Sequence, residues 1–150
     1  RPYAISQDET SAKEVMQFFV NNYVENMNED IVMLYLTYPE RTWEDVKLAW
    51  RFVFDNNAHS MLCKKELETS PFLMLKEEDG NKASQLFYHD LYRRQDYPKC
   101  FEISHFITIF RGSVLNKLNN NLYNRDTIFM EIKNNVIDVD TQRDLDKLDE

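Results

Sequence analysis

Apolar positions recur at two spacings along this chain, and the changes of spacing mark its elements. Val15, Phe18, Phe19, Val20 and Tyr23 suit one broad helix face. Thr10 or Ser11 can cap that helix, which is predicted to run to about Asn26. Ahead of it, Pro2 and the polar run Ser6–Thr10 read as irregular chain. Ile31–Thr37 is a short continuous apolar run, the pattern of a buried parallel strand, and Tyr38-Pro39 ends it. Thr42 then caps a second helix, with Glu44 and Asp45 in its first turn, where the helix dipole favours acids. Trp43, Val46, Trp50, Val53 and Phe54 recur at helical spacing and are read as core. Asn56-Asn57 stops the helix and Ser60–Cys63 starts another strand. Strand, helix, strand in this order is a βαβ unit and predicts a right-handed crossover.

The middle of the chain, residues 66–100, has another texture. Phe72–Leu75 and Gln85–Tyr88 are predicted strands around the polar turn Glu77–Lys82, an antiparallel excursion from the parallel sheet. The excursion closes on Arg93-Arg94-Gln95-Asp96-Tyr97-Pro98. Phe101–Phe110 is strongly strand-like, Val114–Leu118 a short helix, and Thr127–Ile132 a further strand. A charged helix closes the chain from about Gln142. There is no internal repeat and no low-complexity tract.

At 150 residues the chain suits one domain, 1–150, with a real core. A net charge of −8 argues against a nucleic-acid or anionic-membrane surface, which needs clustered Lys and Arg. No apolar run is long enough to cross a bilayer. Cys63 and Cys100 have no metal spacing between them and fit reduced thiols of a cytoplasmic protein; one disulfide is the alternative. Gly80 and Gly112 are the only glycines, and neither sits in a Gly-rich turn where backbone amides approach phosphate. If a nucleotide is handled, the phosphate loop is expected outside these residues. A start at Arg1-Pro2, without Met, adds to the expectation that an N-terminal portion is missing.

The chemistry-bearing stretch is Val136-Ile137-Asp138-Val139-Asp140-Thr141, with Asp144-Leu145 after it. In extended backbone, residues two apart point to the same side. Asp138 and Asp140 can then face one divalent cation at a strand end, and magnesium suits two carboxylates with water and phosphate completing the shell. The alternative is an acidic turn in which Asp or Thr caps the last helix. Arg41 can clamp a substrate or pair with Glu40, Glu44 or Asp45. Asp96 is the nearby ion-pair candidate for Arg93 and Arg94. His105 lies in an apolar strand and reads as a core or pocket-wall histidine. His59 and His89 have no partner at ligand spacing, and no nucleophile–His–acid triad can be assembled.

Four segments stand in one order: Leu34-Tyr35-Leu36-Thr37-Tyr38-Pro39-Glu40-Arg41, Pro71-Phe72 with Asp79-Gly80, Arg93-Arg94-Gln95 before Pro98, and Ile137-Asp138-Val139-Asp140-Thr141. Arg1-Pro2 with Asp8 and Thr10 fits the stretch before the first helix. This order resembles the acylneuraminate cytidylyltransferase family, the CMP-sialic acid synthetases and their relatives for other acidic sugars. The resemblance covers nearly the whole chain and maps it to the C-terminal part of a complete member. It implies an α/β fold: a partial Rossmann-like nucleotidyltransferase sheet with an antiparallel dimerisation excursion. It implies transfer of CMP from CTP to an acidic sugar with release of pyrophosphate. Asp138 and Asp140 would then carry magnesium, and Tyr35, Thr37, Tyr38, Arg41, Arg94 and Gln95 would face the substrates. Residues 66–100 would build a homodimer and reach the partner's active site. Tyr35, Leu36 and Tyr38 stand where the family has glutamine, proline and serine, and Ser104-His105 where it has asparagine-glycine. These exchanges alter the size and hydrogen bonding of a sugar pocket. A non-catalytic dimerisation or docking module of the same fold is the alternative.

Overall fold

A computed structural model describes residues 2–133 and 135–148. Arg1 and the last two residues of the predicted closing helix lie outside the described residues.

The first helix, α1, spans Ala12–Tyr23. Ser11 caps it, and the Glu14 carboxylate returns a bond to the Ser11 backbone, so two otherwise orphaned donors are satisfied. Helix α2 spans Trp43–Asp55 and starts on the same device, built from Thr42 and Asp45. It ends where Asn57 takes a φ of 47°, a left-handed position that asparagine tolerates. These capping signals are local, and both helices begin where the sequence predicts.

Four strands form the main sheet: β1 (Asp30–Met33), β2 (Ser60–Glu66), β5 (Phe101–Arg111) and β6 (Ile128–Glu131), in the order β1-β5-β2-β6. β5 runs antiparallel to both β1 and β2, while β2 and β6 are parallel. The expectation of a parallel sheet is therefore corrected to a mixed one. β1 and β2 do point the same way, as the βαβ reading requires, but β5 lies between them. An apolar run reports burial and not the direction of its neighbour, so the insertion was invisible in the pattern.

β5 feeds both faces of the sheet. Ile107 and Ile109 join a cluster with Val46, Ala49 and Val53 of α2 and with Met61 and Cys63 of β2. Phe110, next to Ile109 and so pointing to the other face, joins Met16 and Val20 of α1 with Leu115, Leu118 and Leu122. The two helices thus cover opposite faces, and the described residues form three layers. Residues Gly112–Lys117 form a 3₁₀ turn where the sequence predicts a short helix.

The pattern misplaces the aromatic side chains. α2 rests on the sheet through Val46, Ala49 and Val53, and Ala49 is fully buried. Trp43 and Phe54, each 69% exposed, and Trp50 lie away from that contact. Trp50 and Phe54 stack on each other with centroids 5.6 Å apart. On α1, Phe19 and Tyr23 are likewise exposed, and Met16 with Val20 does the packing. Each helix has apolar residues on two sides and buries only one of them, and on α2 the buried side is the one where Ala49 allows a close approach to the sheet.

The excursion is smaller than the sequence predicts. Pro71–Leu73 forms a 3₁₀ turn, and the strands are β3 (Leu75–Glu77) and β4 (Ala83–Gln85), paired antiparallel. The turn between them uses Gly80 at φ +70°, a conformation that costs glycine little. All residues of β3 and β4 are exposed. Phe72 supplies the local anchor, in ring contact with Phe87, His89 and Tyr97, and the His89 ring meets the Phe72 carbonyl at 2.6 Å. A short five-residue helix, α3 (Gln142–Asp146), follows near the end of the described chain, capped by Thr141 and Asp144.

Cys63 and Cys100 are both free thiols. Burial in β2 pushes the Cys63 thiol up to about 11, while Cys100 is half-buried at the strand entrance. Reaction needs thiolate and access. Native protein at pH 8 is expected to alkylate at Cys100, with Cys63 on the order of 10²-fold slower until urea unfolds the chain. Peptide mapping after timed iodoacetamide treatment checks this; equal labelling of both cysteines would contradict it.

Candidate functional site

The site forms at a break in the β2–β5 ladder. Met61 pairs with Ile109, but Cys63 pairs with Ser104, so β5 covers a longer stretch than β2 between the same two pairs. Such bulges free backbone groups and re-aim side chains. β1 has also ended by this point, since its last pair is Met33 with Thr108. The turn that follows β1 fills the space.

Arg41 holds that turn. Its guanidinium donates to the Phe106 carbonyl at 2.7 Å and to the Tyr35 carbonyl at 2.8 Å. It also lies 5.9 Å from the centre of the Phe106 ring. Its hydrogen-bond partners are backbone carbonyls and not the acids Glu40, Glu44 or Asp45 that the sequence offers. Planar guanidinium geometry suits two carbonyls that a single ammonium would serve less well.

Tyr38 packs inward. It is 5% exposed, its ring meets Phe106 edge-on at 5.6 Å, and its hydroxyl lies 3.3 Å from Ser104 Oγ. Burial pushes the phenol up to about 12, and the Asp138 carboxylate facing it adds to the rise. Tyr35 is half-buried, with its ring centre 5.1 Å from that of His105. Its phenol is also raised, by burial first and then by Asp138. Burial lowers the His105 imidazole from its ordinary value, and the charge of Asp138 opposes that shift.

Asp138 reaches the cluster along a separate segment. The Val139 N–H donates to the Thr37 carbonyl at 2.8 Å and fastens residues 136–140 alongside the turn. No strand is formed there, so the pair of acids does not end a strand as the spacing suggests. Asp138 is half-buried and Asp140 exposed. Among the described residues, Asp138 Oδ1 and His105 Nδ1 are buried polar atoms without a hydrogen-bond partner, as is Thr108 Oγ1. Unpaired buried polar atoms are costly enough to need a reason.

Thr141 is the helix cap that the alternative reading of this stretch calls for. Its side chain accepts from the Asp144 N–H, and the Asp144 carboxylate accepts from Thr141 and Lys147. Those bonds hold the Asp144 carboxyl at about 2, well below the usual range. Neither Asp138 nor Asp140 serves as the cap.

The structure therefore brings Tyr35, Thr37, Tyr38, Arg41 and Asp138 together. Arg94 and Gln95 stand elsewhere, in an exposed 3₁₀ turn at the base of the excursion. Arg93, not Arg94, takes Asp96, with two bonds of 2.7 and 3.0 Å. Arg94 is left lining a recess of about 290 Å³ with Glu66, Glu68, Tyr97 and Lys99. A cavity of about 350 Å³ adjoins Phe106 and is lined by Glu40, Asp45, Ile132 and Val136, none of them predicted site residues. Ser104 is the participant that the apolar pattern hides, and its alignment with a family polar position was the available signal. Among the described residues, no group of three or more His, Cys, Asp or Glu is arranged to hold a metal ion, and no helix is long and apolar enough to cross a membrane. Neither a protein-family model nor a curated protein matches the chain.

Removing the Arg41 clamp should be costly, because two carbonyls lose charged donors at once. Arg41→Ala is expected to lower unfolding free energy by about 2–3 kcal/mol and to weaken the Tyr35–His105 ring contact. Urea titration and the ring-current shifts of His105 measure the two effects. An unchanged midpoint together with unchanged shifts would show that the turn stands without the clamp.

Proposed function

We propose that this chain carries the metal-binding and sugar-facing part of a cytidylyltransferase. The reaction transfers CMP from CTP to an acidic sugar, sialic acid or a related nonulosonate, and releases pyrophosphate. One observation carries the reading: the turn 35–41 and the segment 136–140, distant in sequence, are tied together around a half-buried carboxylate with an unpaired oxygen. Two of the segments that resemble the acylneuraminate cytidylyltransferases are the ones that meet.

Asp138 and Asp140 would hold magnesium. Two carboxylates are a sufficient protein share, because magnesium takes its other ligands from water and phosphate. The unpaired Asp138 oxygen fits a group that needs a further bond, and the exposed Asp140 leaves the outer side open. When bound, the cation supplies charge stabilisation on the phosphate oxygens. The residues of the chain do the rest by position. Asp138 is held by the Val139–Thr37 bond, Tyr35 and His105 form a wall, and Arg41 keeps that wall in place. The glycine-poor sequence has no phosphate loop, so CTP would be completed by residues outside these 150. A cytoplasmic location follows from the reading, since CTP is an intracellular substrate.

Residues 66–100 would form a homodimer. Leu75, Leu86 and Phe87 are at least half exposed or close to it, on a hairpin too small to hide them alone. In such a dimer Arg94 and Gln95 would approach the partner's sugar site, where a guanidinium can take the carboxylate with two bonds. The second reading, a non-catalytic dimerisation or docking module, draws on Tyr38. That side chain serves the core where a smaller polar residue would serve a pocket.

Pyrophosphate release from CTP, magnesium and a panel of nonulosonic acids tests the reading in a chain that includes a phosphate loop. There, Asp138→Asn and Asp140→Asn should each lower turnover on the order of 10²-fold or more, with the fold intact by circular dichroism. The 150-residue chain alone should release none. Near-normal turnover in both variants would return the two acids to a structural role.

Assembly is tested separately. Sedimentation at micromolar concentration should give a dimer, and Leu75→Glu with Phe87→Glu should give a folded monomer. A wild-type monomer would remove the dimer from the proposal.

A further inference from the structure

The cavity of about 350 Å³ beside Phe106 belongs neither to the cluster around Asp138 nor to the excursion. It lies between the start of α2, the end of β6 and the residues that lead from β6 toward Asp138. The apolar part of its lining is Leu48, Phe106, Met130, Ile132 and Val136. Phe106 belongs to the core under α2, and Met130, Ile132 and Val136 pack against that core, so these walls stand without a ligand. The polar part sets three carboxylates, Glu40, Asp45 and Glu131, against one ammonium, Lys133, with Asn135 neutral. The Asp45 carboxylate is engaged in the cap of α2, where it accepts from the Thr42 N–H and hydroxyl at 2.8 and 2.7 Å. The side chains of Glu40, Glu131 and Lys133 make no hydrogen bond or ion pair with another described residue. Lys99 feels the charge of Glu131 but pairs with Glu66, at 2.7 Å.

We propose that this cavity is a binding site for a small organic cation, a primary ammonium carried on an apolar ring or chain. The proposal does not rest on the cytidylyltransferase reading. CTP and an acidic sugar are poor occupants, because the carboxylates oppose an anion. A wholly apolar molecule would strip water from two unpaired carboxylates. A cation with an apolar body meets both parts of the lining. Its body covers Phe106, Ile132 and Val136, and its N–H groups donate charge-assisted bonds to Glu40 and Glu131. Those two acids come from separate elements, the turn before α2 and the end of β6. An ammonium suits such acceptors, since its three donors are not fixed in one plane, whereas the guanidinium fork matches a single carboxylate. The volume stands at the small end of ligand pockets, which run to roughly 300–1,000 Å³, so the fit is one ring or a short chain. Tyr35, Tyr38 and Asp138 do not line the cavity, but Tyr38 packs on its Phe106 wall and Val136 leads into the residues that carry Asp138. An occupant therefore lies against the neighbours of the candidate site without entering it.

The test uses the 150-residue chain with ¹³C-labelled methyl groups, titrated with 2-phenylethylamine. The methyl resonances of Leu48, Met130, Ile132 and Val136 should shift together and saturate, with a dissociation constant on the order of 1 mM for so small a probe. Phenylacetate, similar in shape and opposite in charge, should bind at least about tenfold more weakly. Glu40→Gln and Glu131→Gln should each weaken the amine about threefold and together about tenfold, while Lys133→Gln should tighten it. All three side chains are exposed, and circular dichroism confirms that the variants fold. Should the double variant not fold, Lys133→Gln and the comparison of amine with acid decide the matter. Absence of saturation, shifts confined to other methyl groups, equal affinity for phenylacetate, or unchanged affinity in the folded double variant would each overturn the proposal.

Discussion

The end of β1, which coincides with the slip between β2 and β5, is the constraint on which the site depends. β1 pairs with β5 only as far as Thr108, so backbone groups of β5 before that residue are left without β1 as a partner. Arg41, on the turn that follows β1, donates to the Phe106 carbonyl there. That bond brings the end of the β1 turn against β5, and the Tyr35 carbonyl completes the clamp. Tyr38 can then bury its ring on Phe106 and reach Ser104. Thr37 is left with its carbonyl facing the Val139 N–H. The contacts all meet at one place on β5, so the turn, the strand and the 136–140 segment are held together there.

What could be read in the sequence divides by the range of the forces involved. Helix starts are decided within four residues, by a cap and the acid that returns to it. Ser11 with Glu14, Thr42 with Asp45 and Thr141 with Asp144 all behave as their spacing predicts. The hairpin turn at Gly80 is of the same local kind. Strand direction is not, because it depends on which segment arrives beside which. Ile31–Thr37 reads as a fully buried parallel strand, yet β1 stops at Met33, half-buried and antiparallel to β5. The aromatics of α2 fail for a related reason. Periodicity names two apolar sides, and only the close approach permitted by Ala49 chooses between them.

The candidate site was legible as a set of segments and not as an assembly. Asp138, Tyr35 and Tyr38 were singled out from their motifs, and they do meet. The spacing argument that joined Asp138 to Asp140 assumed extended strand, whereas the chain there is irregular, with one acid turned inward and one exposed. Arg41 illustrates a different limit. An arginine next to acids at a helix start invites an ion-pair reading, but its partners are the carbonyl of Tyr35 in its own turn and that of Phe106 in the distant strand β5, which no local pattern announces. Ser104 and His105 fall within an apolar run, so polarity alone did not mark them, and only their position in the resemblance did.

Electrostatics gives the cluster its character. Asp138 brings a negative charge to a place where two phenols and an imidazole are already partly withdrawn from water. Burial and that charge act together on Tyr35 and Tyr38, both raised, so the phenols stay neutral donors through the physiological range. On His105 the two effects oppose each other, because burial disfavours the cation that the carboxylate would stabilise. A carboxylate facing neutral donors, with one oxygen still unpaired, is poised to take something further.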